Sequence, residues 1–418
     1  MSKVIGEGTY GCVHKPSLQC KNKKIEKTKV SKLMTHHHAN EELQEFENIS
    51  KVDKNKDYYL GIPEKCNPST SKPNKRAINK CQDFTSKNIQ DYSLLIMKDG
   101  GITLEEFADK MEKLPKNTKN IKTMEMFWIE CHRLIYGLKD LLENDIIHHD
   151  LKPLNIVYNE KKNRLNFIDF GFMTTISNIK EQAKQSNYPY AVSHWYFPFE
   201  FMLINYDDYI RVANKSNENR KEILKKIMKN KHHKITTNMK IFYEETNNSK
   251  KFSLINTRSF YETILEISID KYEDFLDKVL HTFDIYGLGL SFMHVLEKTK
   301  HLISNTLYNL CYNLFCEMIT ANLQNRITID KLIIDYEILL ENTGLLRKYS
   351  FIFKNNKLKK RDIPIIKLVN DIVTNIRNMN ISKNVKESII HNTSRPTIKK
   401  ITRKKKVLKK NKTIKSPY

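Results

Sequence analysis

An α+β fold is what the sequence predicts, and two contrasts predict it. The first hundred residues hold short runs of β-type residues broken by glycine, whereas the chain after about residue 99 carries apolar residues at helical spacing. The 418 residues, 39% of them hydrophobic, suffice for one large domain of two lobes, or for two domains, around a buried core.

The elements follow in order. "KVIGEGTYGCVHK" predicts strand, glycine turn and strand, and "TKVSKLM" predicts a short strand that includes Lys32. "ANEELQEFENISKVD" places Leu43, Phe46, Ile49 and Val52 at helical spacing, and "YSLLIM" predicts a buried strand. Between these two lies the polar, Pro-containing "NPSTSKPNKRAINK", which reads as part of an insertion over about 61–90. Further on, "TMEMFWIECHRLIYGLKDLLEND" sets Phe127, Cys131, Leu134, Leu138 and Leu141 on one helix face. "RLNFIDFGF" predicts a strand and a turn, and residues 205–280 read as a second insertion, polar with some helix, taken as a surface loop or a substrate-docking element. "FDIYGLGLSFMHVLEK", "NTLYNLCYNLFCEMIT" and "TIDKLIIDYEILLEN" predict three helices, and Asp362 and Pro364 start a further one within 346–393. Residues 394–418 form a basic, low-complexity tail expected to be disordered alone.

The formal net charge is +24. Lys heavily outnumbers Arg, and Asn and Ile abound, so a coding bias toward A/T-rich codons accounts for the excess in the body of the chain, beside a nucleic-acid or membrane-surface partner. The tail differs, because a block of like charge marks a segment for nucleic acid or another anionic partner. The seven cysteines are irregularly spaced without a CxxC pair, which predicts free thiols in a reducing compartment. The N-terminus has no apolar signal region, and "FDIYGLGLSFMHVL" is too short to span a bilayer, so a soluble intracellular protein with no transmembrane segment is expected.

Several residue groups carry chemistry. "GEGTYGCV" holds Gly6, Gly8 and Gly11, whose missing side chains let backbone N–H groups approach phosphate oxygens. A strand follows rather than a helix, which favours a flap over phosphates to a dinucleotide turn. Lys32 on a buried strand must find an anion or shift its pKa. Glu42 is the preferred helix partner, with Glu41 and Glu45 open. In "IIHHDLKPLN", Asp150 can accept a proton, Lys152 can neutralise developing charge and Asn155 can hold a metal through its amide oxygen. Asp169 of "DFG" offers a second carboxylate on a turn. Three consecutive histidines, His36 to His38, cannot share one helix face, so they and His232-His233 read as solvated turns and not as metal sites.

Taken in this order, the pieces resemble the eukaryotic-type serine/threonine protein kinases, and the resemblance extends from Gly6 to about Leu345. It implies a bilobal fold, with a small β-rich N-lobe over 1–98 and a larger, mainly helical C-lobe over 99–345. It also implies ATP and Mg²⁺, with Mn²⁺ possible. Ile5, Gly6, Glu7, Gly8, Thr9, Tyr10, Gly11, Cys12 and Val13 would cover the nucleotide, with Lys32 and Glu42 below. Lys98, Asp99 and Gly100 would cradle adenine beside the gatekeeper Met97. Asp150 and Lys152 would be catalytic, and Asn155 and Asp169 would hold the metal. "SHWYFPFE" is similar to the end of an activation loop, with Ser193 beside the catalytic pair and Glu200 paired to Arg326, while Asp284 would brace the catalytic loop and His148 would pack under Phe170. His149 stands where the family usually has an Arg that meets an activation-loop phosphate, a contact that a protonated His can still make. The N-terminal segment and the Lys/Asn/Ile-rich composition are also similar to the protein kinases of giant DNA viruses, which implies host cytoplasm or virion. A pseudokinase scaffold that binds nucleotide and a partner is the alternative function.

Overall fold

Pairing in the first hundred residues follows from β-type residues alternating with glycine turns. The computed structural model describes residues 2–8, 10–24, 26–191, 196–220, 222 and 259–354, all within the unit Met1–Ile376. Strands β1 (Lys3–Gly8), β2 (Gly11–Lys15), β3 (Lys29–Thr35), β4 (Glu64–Cys66) and β5 (Tyr92–Lys98) form one antiparallel sheet in the order β1-β2-β3-β5-β4. Helix α1 (His36–Val52) packs on β3 and β5, burying Ala39, Glu42, Phe46 and Ile49. It starts three residues before the predicted stretch, because Thr35 caps it by accepting from His38 N. His36 to His38 therefore form a first helical turn. His36 does not face solvent alone, since its ring nitrogens lie 2.7 Å from Ser93 Oγ and 2.8 Å from Gln90 O.

The stretch expected to be a polar insertion is partly core. Helix α2 (Lys72–Ile78) and the turn after it bury Ala77, Ile78, Cys81 and Phe84 against Cys12, Leu33, Leu94 and Ile96 of the sheet. Two disulfides, Cys12–Cys81 and Cys20–Cys66, tie this stretch to the sheet, with Cα separations of 6.1 and 5.8 Å. The expectation of free thiols is thus corrected for four cysteines, while Cys131, Cys311 and Cys316 are free. Sequence separations of 69 and 46 residues hide such pairs until the sheet is folded.

The remainder is helical around one large core. After α3 (Leu104–Glu112), helix α4 (Thr118–Glu143) buries all five residues of its predicted face completely. The helix Tyr272–Thr299 is apolar on nearly every side and packs against Asn305–Ile319, with Ile329–Asn342 beyond. Ile269–Leu302 is long and apolar enough to cross a membrane, longer than the quoted sequence stretch suggests, but 94% of its most apolar window is buried in protein, as in a core helix. The flanks of the 205–280 stretch are core as well: Tyr209 and Val212 of the helix Tyr206–Ala213, and Phe260, Ile264 and Leu276, are fully buried. A surface-loop reading fails for those flanks. The interior of that stretch with His232-His233, the start at Asp362 and the basic tail lie outside the described residues.

Two small sheets set the positions of two loops. Strands β7 (Ile146–Ile147) and β8 (Ile156–Asn159) bound residues 148–155, and β9 (Arg164–Phe167) and β10 (Thr174–Thr175) bound residues 168–173. Because β7 pairs with β10 and β8 with β9, the loops are strapped side by side. Strand β6 (Ile102–Thr103) completes the second sheet beyond β8.

Candidate active site

The loop at 148–155 is held from below. Asp284 of the helix Tyr272–Thr299 accepts the backbone N–H of His148 at 2.6 Å and of His149 at 3.0 Å. One turn on, Gly287 faces Leu151, and a Cβ there would lie 2.5 Å from the Leu151 carbonyl oxygen. Only glycine lets helix and loop approach this closely. Burial pushes the Asp284 carboxyl up to about 7, against the pull of those two N–H donors.

Three polar side chains converge on this brace. Lys152 Nζ lies 3.0 and 2.9 Å from the Asp150 carboxylate oxygens. Asn155 Nδ2 donates to Asp150 O at 2.9 Å and to Asp150 Oδ2 at 2.5 Å. Both bonds use the amide nitrogen, which leaves the amide oxygen as the donor atom for a cation. Ile168 N donates to Asn155 O at 3.0 Å, which brings the neighbouring Asp169 beside this group. Asp169 is exposed, with φ +61°.

On the sheet side, Lys32 Nζ meets Glu42 Oε2 at 2.5 Å. Burial alone lowers the Lys32 pKa, but Glu42 and Asp169 outweigh it and hold the ammonium above its ordinary value. Glu41 turns away to His37 and His38, at 3.3 and 3.0 Å. Glu45 is pushed up to about 8 by burial, with the Glu42 and Asp169 charges adding. Glu42 and Asp169 beside one ammonium, with Glu45 holding its proton, leave the site short of positive charge. The Asn155 amide oxygen and the exposed Asp169 carboxylate are the hard oxygen donors that Mg²⁺ or Mn²⁺ takes, so the residues fit a divalent cation.

In the glycine hairpin, Glu7 pairs with Cys12 and Gly8 with Gly11, and Val13 lies opposite Lys32. A Cβ on Gly11 would stand 2.9 Å from Lys32 Cε and 3.2 Å from Leu33 O, whereas one on Gly8 meets nothing within 4 Å. Ile5, Gly6, Glu7, Gly8 and Tyr10 are exposed or nearly so, and Thr9 lies outside the described residues. Cys12 does not face a ligand: it is fully buried in its disulfide, because its side chain points to α2 rather than across the hairpin. At the far end of β5, Met97 pairs with Val30. Lys98 is exposed, Asp99 forms an ion pair with Lys15 at 2.6 Å, and Gly100 packs on Val157 and Leu60.

Aromatic packing joins the parts. Phe170 touches Phe46 of α1 (ring centroids 5.6 Å apart) and His148 (5.1 Å). His149 is buried, not presented to a phosphate. Its ring stacks on Phe283 at 4.9 Å, with Phe197 at 5.1 Å, Phe201 at 5.3 Å and the Tyr188 hydroxyl 3.3 Å from Nε2. Aromatic rings and the Tyr188 hydroxyl thus surround the ring that could otherwise meet an activation-loop phosphate. Glu200 and Arg326 form an ion pair that is fully buried, with Arg326 also donating to Thr320 O and lying over the Tyr286 ring. Sequence reading missed Tyr196. It lies in the field of the Asp150 carboxylate, and Lys152 Nζ stands 4.7 Å from its ring centre. Burial raises its phenol pKa. Ser193, expected there, lies outside the described residues, and nothing in the spacing singles out Tyr196 over its aromatic neighbours.

The family model described as "Protein kinase domain" matches residues 71–214. The chain is also 35% identical over 81 residues to "Serine/threonine-protein kinase prpf4B" of Dictyostelium discoideum. That alignment covers 19% of this chain and 9% of the relative. The matched family region holds Asp150, Lys152, Asn155 and Asp169, while the glycine hairpin, Lys32, Glu42, Asp284 and Arg326 fall outside it.

Proposed function

We propose that the chain is an ATP-dependent serine/threonine protein kinase of bilobal architecture. The observation that carries this reading is the Asp150–Lys152–Asn155 cluster, strapped beside Asp169, which in turn reaches the field of the Lys32–Glu42 pair. Asp150 is placed to accept the hydrogen bond of a substrate hydroxyl and take its proton as the oxygen attacks. Lys152 offsets charge on the transferred group, and Tyr196 limits water at that end. Lys32, aligned by Glu42, offers its ammonium to phosphate oxygens, and the hairpin at Gly6, Gly8 and Gly11 offers backbone N–H groups. Asn155 and Asp169 would hold Mg²⁺, or Mn²⁺, which would neutralise phosphate charge.

The serine/threonine assignment rests on Lys152 two residues after Asp150 and on the partial relative. Protein substrates, an anionic partner for the basic tail, a soluble intracellular location and the giant-virus likeness rest on sequence alone. The test is transfer of labelled γ-phosphate to a generic basic protein, wild type beside Asp150→Asn. We expect transfer by the wild type and a loss of about 10²–10⁴-fold in the variant, the span of a general base. Nucleotide binding without transfer by either protein would instead favour the pseudokinase scaffold. No nucleotide binding would remove the site assignment.

A further inference from the structure

The glycine hairpin has little packing of its own. The side chains of β1 are exposed from Ile5 to Gly8, so the hairpin is located by β2, where Gly11, Cys12 and His14 are buried. Two contacts join it to the turn after α2. Cys12 is bonded to Cys81, and Glu7 Oε1 accepts from Gln82 N at 2.5 Å. One contact holds each strand of the hairpin, and the covalent one follows directly on Gly11, which packs against Lys32. The turn is itself anchored, with Ala77, Ile78 and Phe84 in the small core under the sheet.

His14 lies beside the disulfide. Its Nε2 is 3.7 Å from Cys81 Sγ and 3.4 Å from Ala77 O, and its Nδ1 is 3.3 Å from Cys12 O. Burial lowers its pKa, which leaves a neutral ring with one N–H. In the disulfide state that ring faces two carbonyl oxygens with a single donor. A Cys81 thiol would donate to Nε2 while Nδ1–H serves Cys12 O, so the reduced state gives the ring a partner that the disulfide state lacks.

We infer that Cys12–Cys81 is a redox modification site, opened by thiol–disulfide exchange with a dithiol, and that its oxidised form fixes the glycine hairpin for nucleotide. The second half of this inference rests on the ATP-site reading above. In the exchange, a thiolate of the dithiol bonds to Sγ of Cys81, the residue with slight exposure where Cys12 has none, and the Cys12–Cys81 bond breaks. Cys12 Sγ leaves with the electron pair and takes a proton from solvent. The second thiolate of the reagent then bonds to its own first sulfur, releasing Cys81 as a thiolate that is protonated beside His14. The chain gains two electrons and two protons, and the dithiol becomes a disulfide. Cys20–Cys66 ties the β2–β3 connection to β4 and lies away from the hairpin turn, so its reduction leaves the hairpin in place.

The experiment uses the full chain, air-oxidised or treated with dithiothreitol, with a chelator present. Peptide mass spectrometry after alkylation locates the disulfides, amide exchange over residues 3–15 reports the tether, and a fluorescent ATP analogue reports affinity. On reduction, exchange over the hairpin rises and affinity falls about three- to tenfold, a modest loss of pre-organisation. Cys12→Ser with Cys81→Ser behaves as reduced under both conditions, while Cys20→Ser with Cys66→Ser keeps the full redox response. Absence of a Cys12–Cys81 peptide from the oxidised chain overturns the inference, as does equal exchange in the two states. Faster exchange with unchanged affinity overturns the coupling to nucleotide. A reduced chain that stays protected without chelator, by holding one Zn²⁺, overturns the tether in favour of a Cys12–His14–Cys81 metal site, whose ligand atoms lie within 4.8 Å of one another. If the analogue binds neither form, the ATP-site reading fails, and exchange still judges the tether.

Discussion

The sheet at 3–98 and the helical remainder contribute to the same site but are held by different means. The helical part encloses its share with a large apolar core, a buried ion pair and a helix that braces the loop at 148–155 from below. The sheet has only small clusters of its own, and two disulfides tie it, one from β2 to the turn after α2 and one from the β2–β3 connection to β4. Small cores need such staples, because they bury too little surface to offset chain entropy. The difference teaches that the residues that would orient the hydroxyl sit on the rigid side, and those that would grip phosphate on the side whose geometry depends on cross-links.

That contrast can be broken most severely on the helical side. Arg326→Met leaves Glu200 charged and fully buried, and should cost about 3–5 kcal/mol in urea unfolding. A cost below about 1 kcal/mol would mean that water reaches the pair. The sheet side should respond next. Cys20→Ser with Cys66→Ser opens a link across 46 residues and should cost about 2–4 kcal/mol, with faster amide exchange confined to β4 and the β2–β3 connection. Exchange rising equally in the helix Tyr272–Thr299 would show that the two parts are one cooperative unit.

A smaller change probes the brace. Gly287→Ala drives a methyl to 2.5 Å from Leu151 O and should cost about 1–3 kcal/mol, with phosphate transfer falling while nucleotide affinity stays. Equal loss of both would detach Gly287 from the catalytic loop. The smallest effect is electrostatic and lies on the sheet side. With its folded pKa at about 8 against 4.5 for the free group, Glu45 keeps its proton over an interval in which the unfolded chain has lost it. Its contribution to stability is complete below the unfolded value and is lost as pH rises through 8. Glu45→Gln lacks that loss, so its Tm relative to wild type should rise between about pH 5 and about pH 9, a trend that differential scanning fluorimetry reads directly. A flat difference would mean that Glu45 is ionised throughout.

Much of this was legible in one dimension. The helix over Thr118–Glu143 announces itself because five buried residues recur at its period, and the hairpin because glycines interrupt β-type residues. Asp150, Lys152 and Asn155 are near neighbours in the chain, so one short loop sets their mutual geometry and a local pattern reveals it. Three features were not legible. The stretch at 67–80 is polar in composition, yet its few apolar residues complete the sheet's core. His149 reads as a possible phosphate ligand, and only the folding together of segments around Tyr188, Phe197, Phe201 and Phe283 surrounds it with rings. Cys12 and Cys81 look solitary because 69 residues separate them. Sequence alone determined what depends on neighbours along the chain: helical and strand periods, the glycine turn and the polar order of the catalytic loop. Tertiary structure alone decided which distant groups share one buried space, because burial and pairing depend on contacts that chain order does not encode.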